Sequence, residues 1–245
     1  MTTTLPAKTE PMFSAIAARY DLCNRLFSLG LDWYWRKKTA AIACAAPIEN
    51  ALDLCCGTGD MAFALVKTGK VKCITGGDIS QPMLTLAEQK QQAQTAHAKL
   101  PTDISFRWLC IPAEATGLAD QSFDLITCAF GLRNVDNLPL TLKEMHRLLK
   151  PGGTVCILEF FLPRQHWLRN LYMIYLGILM PRLGKLITGS SAPWDYLAQS
   201  IENWTDNINL KQQLQTAGFT EVAIEPLTCR TVQVYAAQKI ALHSC

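Results

Sequence analysis

The chain has little charge. Of its 245 residues, 18% are Asp, Glu, Lys or Arg, while 49% are hydrophobic. That balance excludes a disordered chain, which needs the opposite. The net charge is only +3. A phosphate backbone demands a dense basic stripe, so no nucleic-acid partner is expected. No C-x-x-C spacing occurs among the 10 cysteines, and Cys55 and Cys56 are adjacent. Zinc-ribbon and thioredoxin-like sites are thereby excluded, and no metal is expected. Most cysteines lie in apolar runs, such as Cys110 in 106–111 and Cys156 in 155–158. There a thiol acts as a small hydrophobe, which fits a reducing compartment. The first ten residues lack the basic start and apolar core of a signal peptide. The most apolar stretch, 171–180, is about half of what a spanning helix needs. The expectation is a cytoplasmic protein, with a peripheral contact at the inner face of a membrane through 168–180 left open.

What is present is an alternation of strands and helices. Residues 1–10 read as a flexible tail and 11–45 as helices broken near Ser28-Leu29-Gly30. Short apolar strands follow at 51–55, 71–76, 104–110, 123–130 and 154–161. Between them, 60–67 is helical, Ser80 caps a helix with Pro82 in its first turn, and Asn137 caps another that Pro151-Gly152-Gly153 ends. This spacing predicts an α/β fold with a doubly wound, mostly parallel sheet. Two further strands, 221–224 and 231–237, flank Pro226 and predict an antiparallel edge. The chain reads as one domain: a core over 46–164, a helical cap insert over 165–217 and edge strands over 218–245. In the insert, Leu168, Leu171, Tyr172, Tyr175, Leu176 and Leu179 form one stripe, with Met173, Ile174 and Ile178 on the other side. A helix apolar all round is buried or faces something oily; burial in a cap is the favoured reading.

Four segments carry chemistry. Asp53, Gly57, Thr58, Gly59 and Asp60 sit at a strand-to-helix turn, where glycines let the backbone approach a ligand and the helix start offers free N–H groups. The third glycine of the dinucleotide fingerprint is missing, and the spacing resembles the D-x-x-x-G-x-G of Rossmann-like methyltransferases. Asp78 and Ile79 follow the second strand, 19 residues after Gly59. A carboxylate there suits a ribose diol; its alternative is to cap the next helix. Pro112 and Ala113 follow the third strand, in the loop that passes an adenine in such folds. Pro112 has no N–H to offer a base. Ala129, Phe130, Gly131, Arg133 and Asn134 end the fourth strand, where open sheets place their ligands. Arg133 as a surface ion pair and Asn134 as a cap remain the bland alternative.

Together these residues resemble the ubiquinone/menaquinone biosynthesis C-methyltransferase family over nearly the whole chain. The N-terminal part, from Phe13 through Tyr20-Asp21 to Asn24, is similar to that family's F-x-x-I-A-x-x-Y-D-x-x-N, and Ser28-Leu29-Gly30 and Trp35-Arg36 continue it. Phe130-Gly131-Leu132-Arg133-Asn134-Val135 is its most discriminating string. The resemblance implies a Rossmann-like class I methyltransferase with seven strands, S-adenosylmethionine as cofactor and a prenylated quinol as substrate. Its binding positions fall on Thr58, Asp78 and Ala113. Pro112 replaces the frequent Asn or Asp and Ala129 the frequent Ser, each losing a polar contact. The adjacent cysteines resemble members acting on naphthoquinols, such as demethylmenaquinol or demethylphylloquinol; the expected acceptor is demethylmenaquinol, with a ubiquinone-precursor benzoquinol or demethylphylloquinol as the alternatives. A catalytically weak scaffold, a methyltransferase for a soluble substrate and a nicotinamide dehydrogenase are the rivals. A homodimer is left open.

Methyl transfer to an aromatic carbon requires the neighbouring hydroxyl to ionise. Arg133 is expected to stabilise the phenolate and Asn134 to orient it. Tyr20, with Asp21 and Asn24, either closes over the cofactor or ties the first helix to the sheet. Arginine stays charged, so the proton acceptor is sought elsewhere, with His146 and His166 as candidates.

Overall fold

A computed structural model describes residues 10–101 and 103–241. Most of the expected tail and Cys245 fall outside that range. Seven strands form one sheet in the order β3-β2-β1-β4-β5-β7-β6. They are β1 (Ile48–Leu54), β2 (Val71–Asp78), β3 (Ser105–Cys110), β4 (Phe123–Ala129), β5 (Leu149–Phe160), β6 (Phe219–Leu227) and β7 (Val232–Lys239). The first five run parallel; β7 is antiparallel to β5, and β6 to β7. The expected doubly wound fold with an antiparallel edge is present. The chain winds from β1 out to β3, then returns to place β4 on the other side of β1. A crevice opens at that reversal, at the carboxyl ends of the strands.

Nine α-helices surround the sheet among the described residues: α1 (Glu10–Phe27), α2 (Leu31–Ala43), α3 (Asp60–Val66), α4 (Gln81–Ala96), α5 (Leu138–Leu148), α6 (His166–Ile174), α7 (Met180–Thr188), α8 (Ala192–Asn207) and α9 (Leu210–Thr216). Ser80 caps α4 by accepting from Met83 N, and Asn137 caps α5 by accepting from Leu140 N. One face of the sheet packs Leu65, Ile74 and Leu125 with Trp35 and Ala40 of α2. The other packs Ile126, Ile157, Leu142 and Met145. A third cluster, around Leu176, Met180, Trp194 and Ile201, holds the helical insert together.

Three expectations change. Pro151-Gly152-Gly153 does not separate α5 from the fifth strand. It lies inside β5 as an irregularity, between the pairs Phe123–Leu149 and Leu125–Thr154, with Gly152 at φ +78°. Only glycine adopts that conformation cheaply. Pro226 likewise lies inside β6, opposite Gln233. As β6 is the sheet edge, its missing N–H breaks no ladder.

The third change concerns the insert. The apolar run belongs to a continuous 23-residue helix, His166–Thr188, made of α6, a π turn at Tyr175–Leu179, and α7. By length and composition it is apolar enough to cross a membrane, the one such helix among the described residues. It is not buried all round. Tyr172, Tyr175 and Leu176 turn inward, whereas Leu171, Ile174, Ile178 and Leu179 are exposed. Pro181 cannot donate to the helix ladder, and the π turn just ahead of it shifts which residues face the core.

Candidate active site

Asp53 ends β1 with no exposed surface. It accepts from Thr127 Oγ1 of β4 at 2.7 Å and from Ala62 N of α3 at 3.1 Å. Burial pushes its carboxyl up to about 7, although the Thr127 hydroxyl works against that. Asp53 thus ties two strands and a helix start together beneath the turn and does not line the crevice.

Above it, Cys55 and Gly57 turn the chain with φ of 56° and 53°. A Cβ at Gly57 would meet nothing within 4 Å, so its backbone faces open space. A Cβ at Gly59 would fall 2.8 Å from Trp108, so that glycine serves packing. Asp78, at the end of β2, accepts from Gly57 N at 2.8 Å and from Ser80 N at 2.9 Å. It shares the crevice with Ile79, Ala113 and Ala129. The contact with the Cys128 thiol and burial hold Cys55 well above the usual thiol range, so it packs as a thiol rather than reacting as a thiolate.

Thr58 points the other way. Its hydroxyl donates to Asp21 Oδ1 at 2.6 Å and accepts from Lys90 Nζ at 2.9 Å. Lys90 also binds Asp21 and Asp60. This cluster fastens α1 to the glycine turn, so Asp21 is a tether. Tyr20 faces the crevice instead, which divides the two expected roles of that helix between neighbours.

The loop after β4 is built on strain. Phe130 has φ 61°, unusual for a bulky residue. Its N–H donates to Leu158 O at 2.7 Å, and its ring stacks on Phe160 with centroids 4.3 Å apart. The conformation turns its carbonyl toward the following residues, where it accepts from Arg133 Nη1 at 2.6 Å and Asn134 Nδ2 at 3.3 Å. A Cβ at Gly131 would fall 2.4 Å from the Cβ of Cys55, so the loops after β1 and β4 close on one another only with glycine there.

Arg133 is no surface ion pair. Its side chain is 4% exposed and its Nη1 pairs with the fully buried Glu159 at 2.7 Å. Nε donates to Ser200 Oγ at 3.3 Å, while Nη2 makes no hydrogen bond among the described residues. Asn134 Oδ1 accepts from the Tyr196 hydroxyl at 3.0 Å. The two neighbours face different spaces. Asn134 lines the crevice with Asp78, whereas Arg133 lines a second cavity of about 370 Å³. That cavity is walled by Trp35, Phe160, Tyr172, Leu176 and Trp194, and Tyr20 and Phe130 line both spaces.

The structure therefore brings Tyr20, Gly57, Asp78, Ile79, Ala113, Ala129 and Asn134 together, with Arg133 next door. Asp53, Thr58 and Gly59 support the turn from behind. Pro112 is exposed and outside the crevice, so its lack of an N–H removes nothing from the lining. His146 packs edge-on against Phe219, and burial pushes its imidazole below the usual range. His166 is exposed at the start of α6. Neither lines either space, so neither expected proton acceptor is at the site. Glu159 and Tyr196 carry no expected site role, Tyr172 is expected only in the stripe of the insert, and Phe130 only in the string that ends the fourth strand. Glu159 left one signal: a carboxylate at the end of an otherwise apolar strand.

This sheet order, with its crevice at the β1–β4 reversal, defines a Rossmann-like class I methyltransferase fold. A methyltransferase solved in complex with the Haloferax volcanii Trm112 activator superimposes with a TM-score of 0.63 at 16% identity, covering 97% of this chain and 100% of that one. The model of the ubiE/COQ5 methyltransferase family matches residues 1–239, and the chain belongs to that family. The ubiquinone/menaquinone biosynthesis C-methyltransferase UbiE of Geotalea daltonii is 37% identical over 95% of this chain and 96% of its own length. The demethylmenaquinone methyltransferase of Thermus thermophilus is 37% identical over 89% and 94%. The chain is an S-adenosylmethionine-dependent C-methyltransferase of quinone biosynthesis. The crevice fits that cofactor: an open glycine backbone, a carboxylate at a strand end and small apolar walls lie side by side.

Proposed function

We propose that the methyl acceptor is a prenylated naphthoquinol of the demethylmenaquinol type, bound reduced in the second cavity. The observation that carries this reading is the junction of the two spaces at Tyr20 and Phe130. Asp78 binds the ribose hydroxyls, Ile79 and Ala113 flank the base, and Gly57 and Ala129 line the path between them. S-adenosylmethionine, when bound, supplies an electrophilic methyl group on a sulfonium. Each turnover replaces one ring C–H by C–CH3 and releases one proton, and the electron pair of the broken C–S bond stays on sulfur. Arg133 donates from Nη2 to a ring oxygen, with its own charge balanced by Glu159. Tyr20 and Asn134 orient the ring at the junction. A wide cavity walled by aromatic side chains favours the two-ring head group, and two relatives, from Chlorobaculum parvum and Thermus thermophilus, carry the name demethylmenaquinone methyltransferase. Turnover of short-chain demethylmenaquinol beside the matching benzoquinol and demethylphylloquinol, all kept reduced, tests the choice. Demethylmenaquinol is expected to be turned over fastest; preference for the benzoquinol or for demethylphylloquinol overturns the choice, and turnover of none of them points to a scaffold.

The polyprenyl tail leaves along the insert helix, whose outer face meets the cytoplasmic membrane surface. Trp167 is 70% exposed, and Leu171, Ile174 and Ile178 are each near half. Leu22, Leu26 and Leu29 on the first helical hairpin are exposed as well, and exposed Arg182 and Lys185 suit anionic lipid. Ile174→Ser with Ile178→Ser is expected to reduce co-sedimentation with anionic liposomes several-fold without moving the Tm. Unchanged co-sedimentation sinks the membrane contact.

A further inference from the structure

Arg36 lies on the buried stripe of α2, with Asp32, Trp35 and Thr39. It is 8% exposed and lines the second cavity. None of its guanidinium nitrogens has a hydrogen bond among the described residues, and Nε and Nη1 are buried without a partner. Other arginines here are served: Arg133 by Glu159, Arg147 by Glu144, Arg169 by Asp206. The charge of Arg36 is felt by Asp53 and Asp60. Those carboxylates, however, are bonded to Thr127, Ala62 and Lys90. Its Cζ lies 5.0 Å from the ring centroid of Phe130, the residue common to both spaces.

A buried cation with open donors is costly to keep, and apolar packing in its place is often more stable. Folding alone gives no reason to keep one beside Trp35. A ligand that brings an oxygen acceptor does. We propose that Arg36 binds one oxygen of the substrate ring and stabilises it as the phenolate, with Arg133 on the other oxygen. This deepens, and rests on, the quinol reading above. The division follows from charge: Arg133 is neutralised by Glu159, whereas no carboxylate is bonded to Arg36. The hydroxyl gives its proton to water, and the electron pair left on oxygen is delocalised to the ring carbon that forms the new C–C bond. Loss of the ring proton to water restores aromaticity, and the phenolate then takes a proton from water, so one proton is released in all. Asp53 on β1 and Asp60 on α3 feel the charge of Arg36, Asp32 of its own helix and Arg133 after β4 line the same cavity, and Glu159 on β5 pairs with Arg133.

Arg36→Gln and Arg36→Lys in the full chain test this. S-adenosylmethionine affinity, by calorimetry, reports the fold and is expected to stay within a few-fold. On the short-chain quinols, Arg36→Gln is expected to lower kcat about 100-fold with a smaller change in KM. The rising limb of its pH–rate profile moves to higher pH, because a cation lowers the pKa of a phenol and its loss raises it. Arg36→Lys keeps the charge and recovers part of both. A second readout needs no turnover: the absorbance of a bound prenylated 1-naphthol reports its ionisation, expected at lower pH on the parent chain than on Arg36→Gln. Equal profiles and equal naphthol titrations overturn the proposal. If Arg36→Gln does not fold, the parent chain decides: a bound naphthol that ionises at the same pH as in free solution overturns the proposal. A parent chain that turns over no quinol yet ionises the naphthol through Arg36 refutes the quinol reading alone. One that does neither refutes both.

Discussion

Arg133→Ala is expected to lower turnover about 100-fold or more while affinity for S-adenosylmethionine stays within a few-fold. It is also expected to destabilise the fold by about 3–5 kcal/mol, because Glu159 is left as a buried charge without its partner. The first effect follows from Arg133, which lines the second cavity and whose Nη2 has no hydrogen bond among the described residues. The second follows from a pair whose side chains are 4% and 0% exposed. The two effects separate in the double variant Arg133→Met with Glu159→Gln. Removing both charges restores most of the thermal stability and none of the turnover. Denaturant melts and steady-state kinetics read the two quantities. Recovery of turnover in the double variant would show that Arg133 serves only the fold.

Asp78→Ala is expected to weaken S-adenosylmethionine binding about 100-fold, from the loss of two hydrogen bonds to a charged acceptor. Asp78 also accepts from the backbone of Gly57 and Ser80, so its loss loosens the glycine turn and the start of α4. Asp78→Asn keeps one oxygen and is expected to lose about tenfold. Titration calorimetry checks both. Affinity within threefold of the parent for Asp78→Ala contradicts the ribose role.

The fold was legible where pattern and geometry agree. Apolar strands at regular spacing gave the parallel sheet, and Ser80 and Asn137 cap as their positions predict. Proline and glycine misled twice, because Gly152 and Pro226 read as breaks. An irregularity in β5 and the edge position of β6 tolerate both. The inward and outward faces of the insert helix depend on a π turn, which leaves no signature in a 3.6-residue period. At the site, residues on strand ends were readable from the chain, since the crevice falls there in any such sheet. Arg36 was not. It opens a run of three cations with Lys37 and Lys38 that looks like a solvated face, and only the phase of α2, set by Trp35 and Thr39, buries it. The left-handed Phe130 was equally invisible, because its strain is held by the bond to Leu158 and the stack on Phe160, both distant in sequence.

The most direct test of the account is a single turnover with S-adenosylmethionine labelled with 13C in its methyl group and a short-chain demethylmenaquinol, followed by NMR of the product. One labelled methyl on a ring carbon is expected with the quinol and none with the oxidised quinone. A label on oxygen, or equal labelling of quinol and quinone, contradicts it.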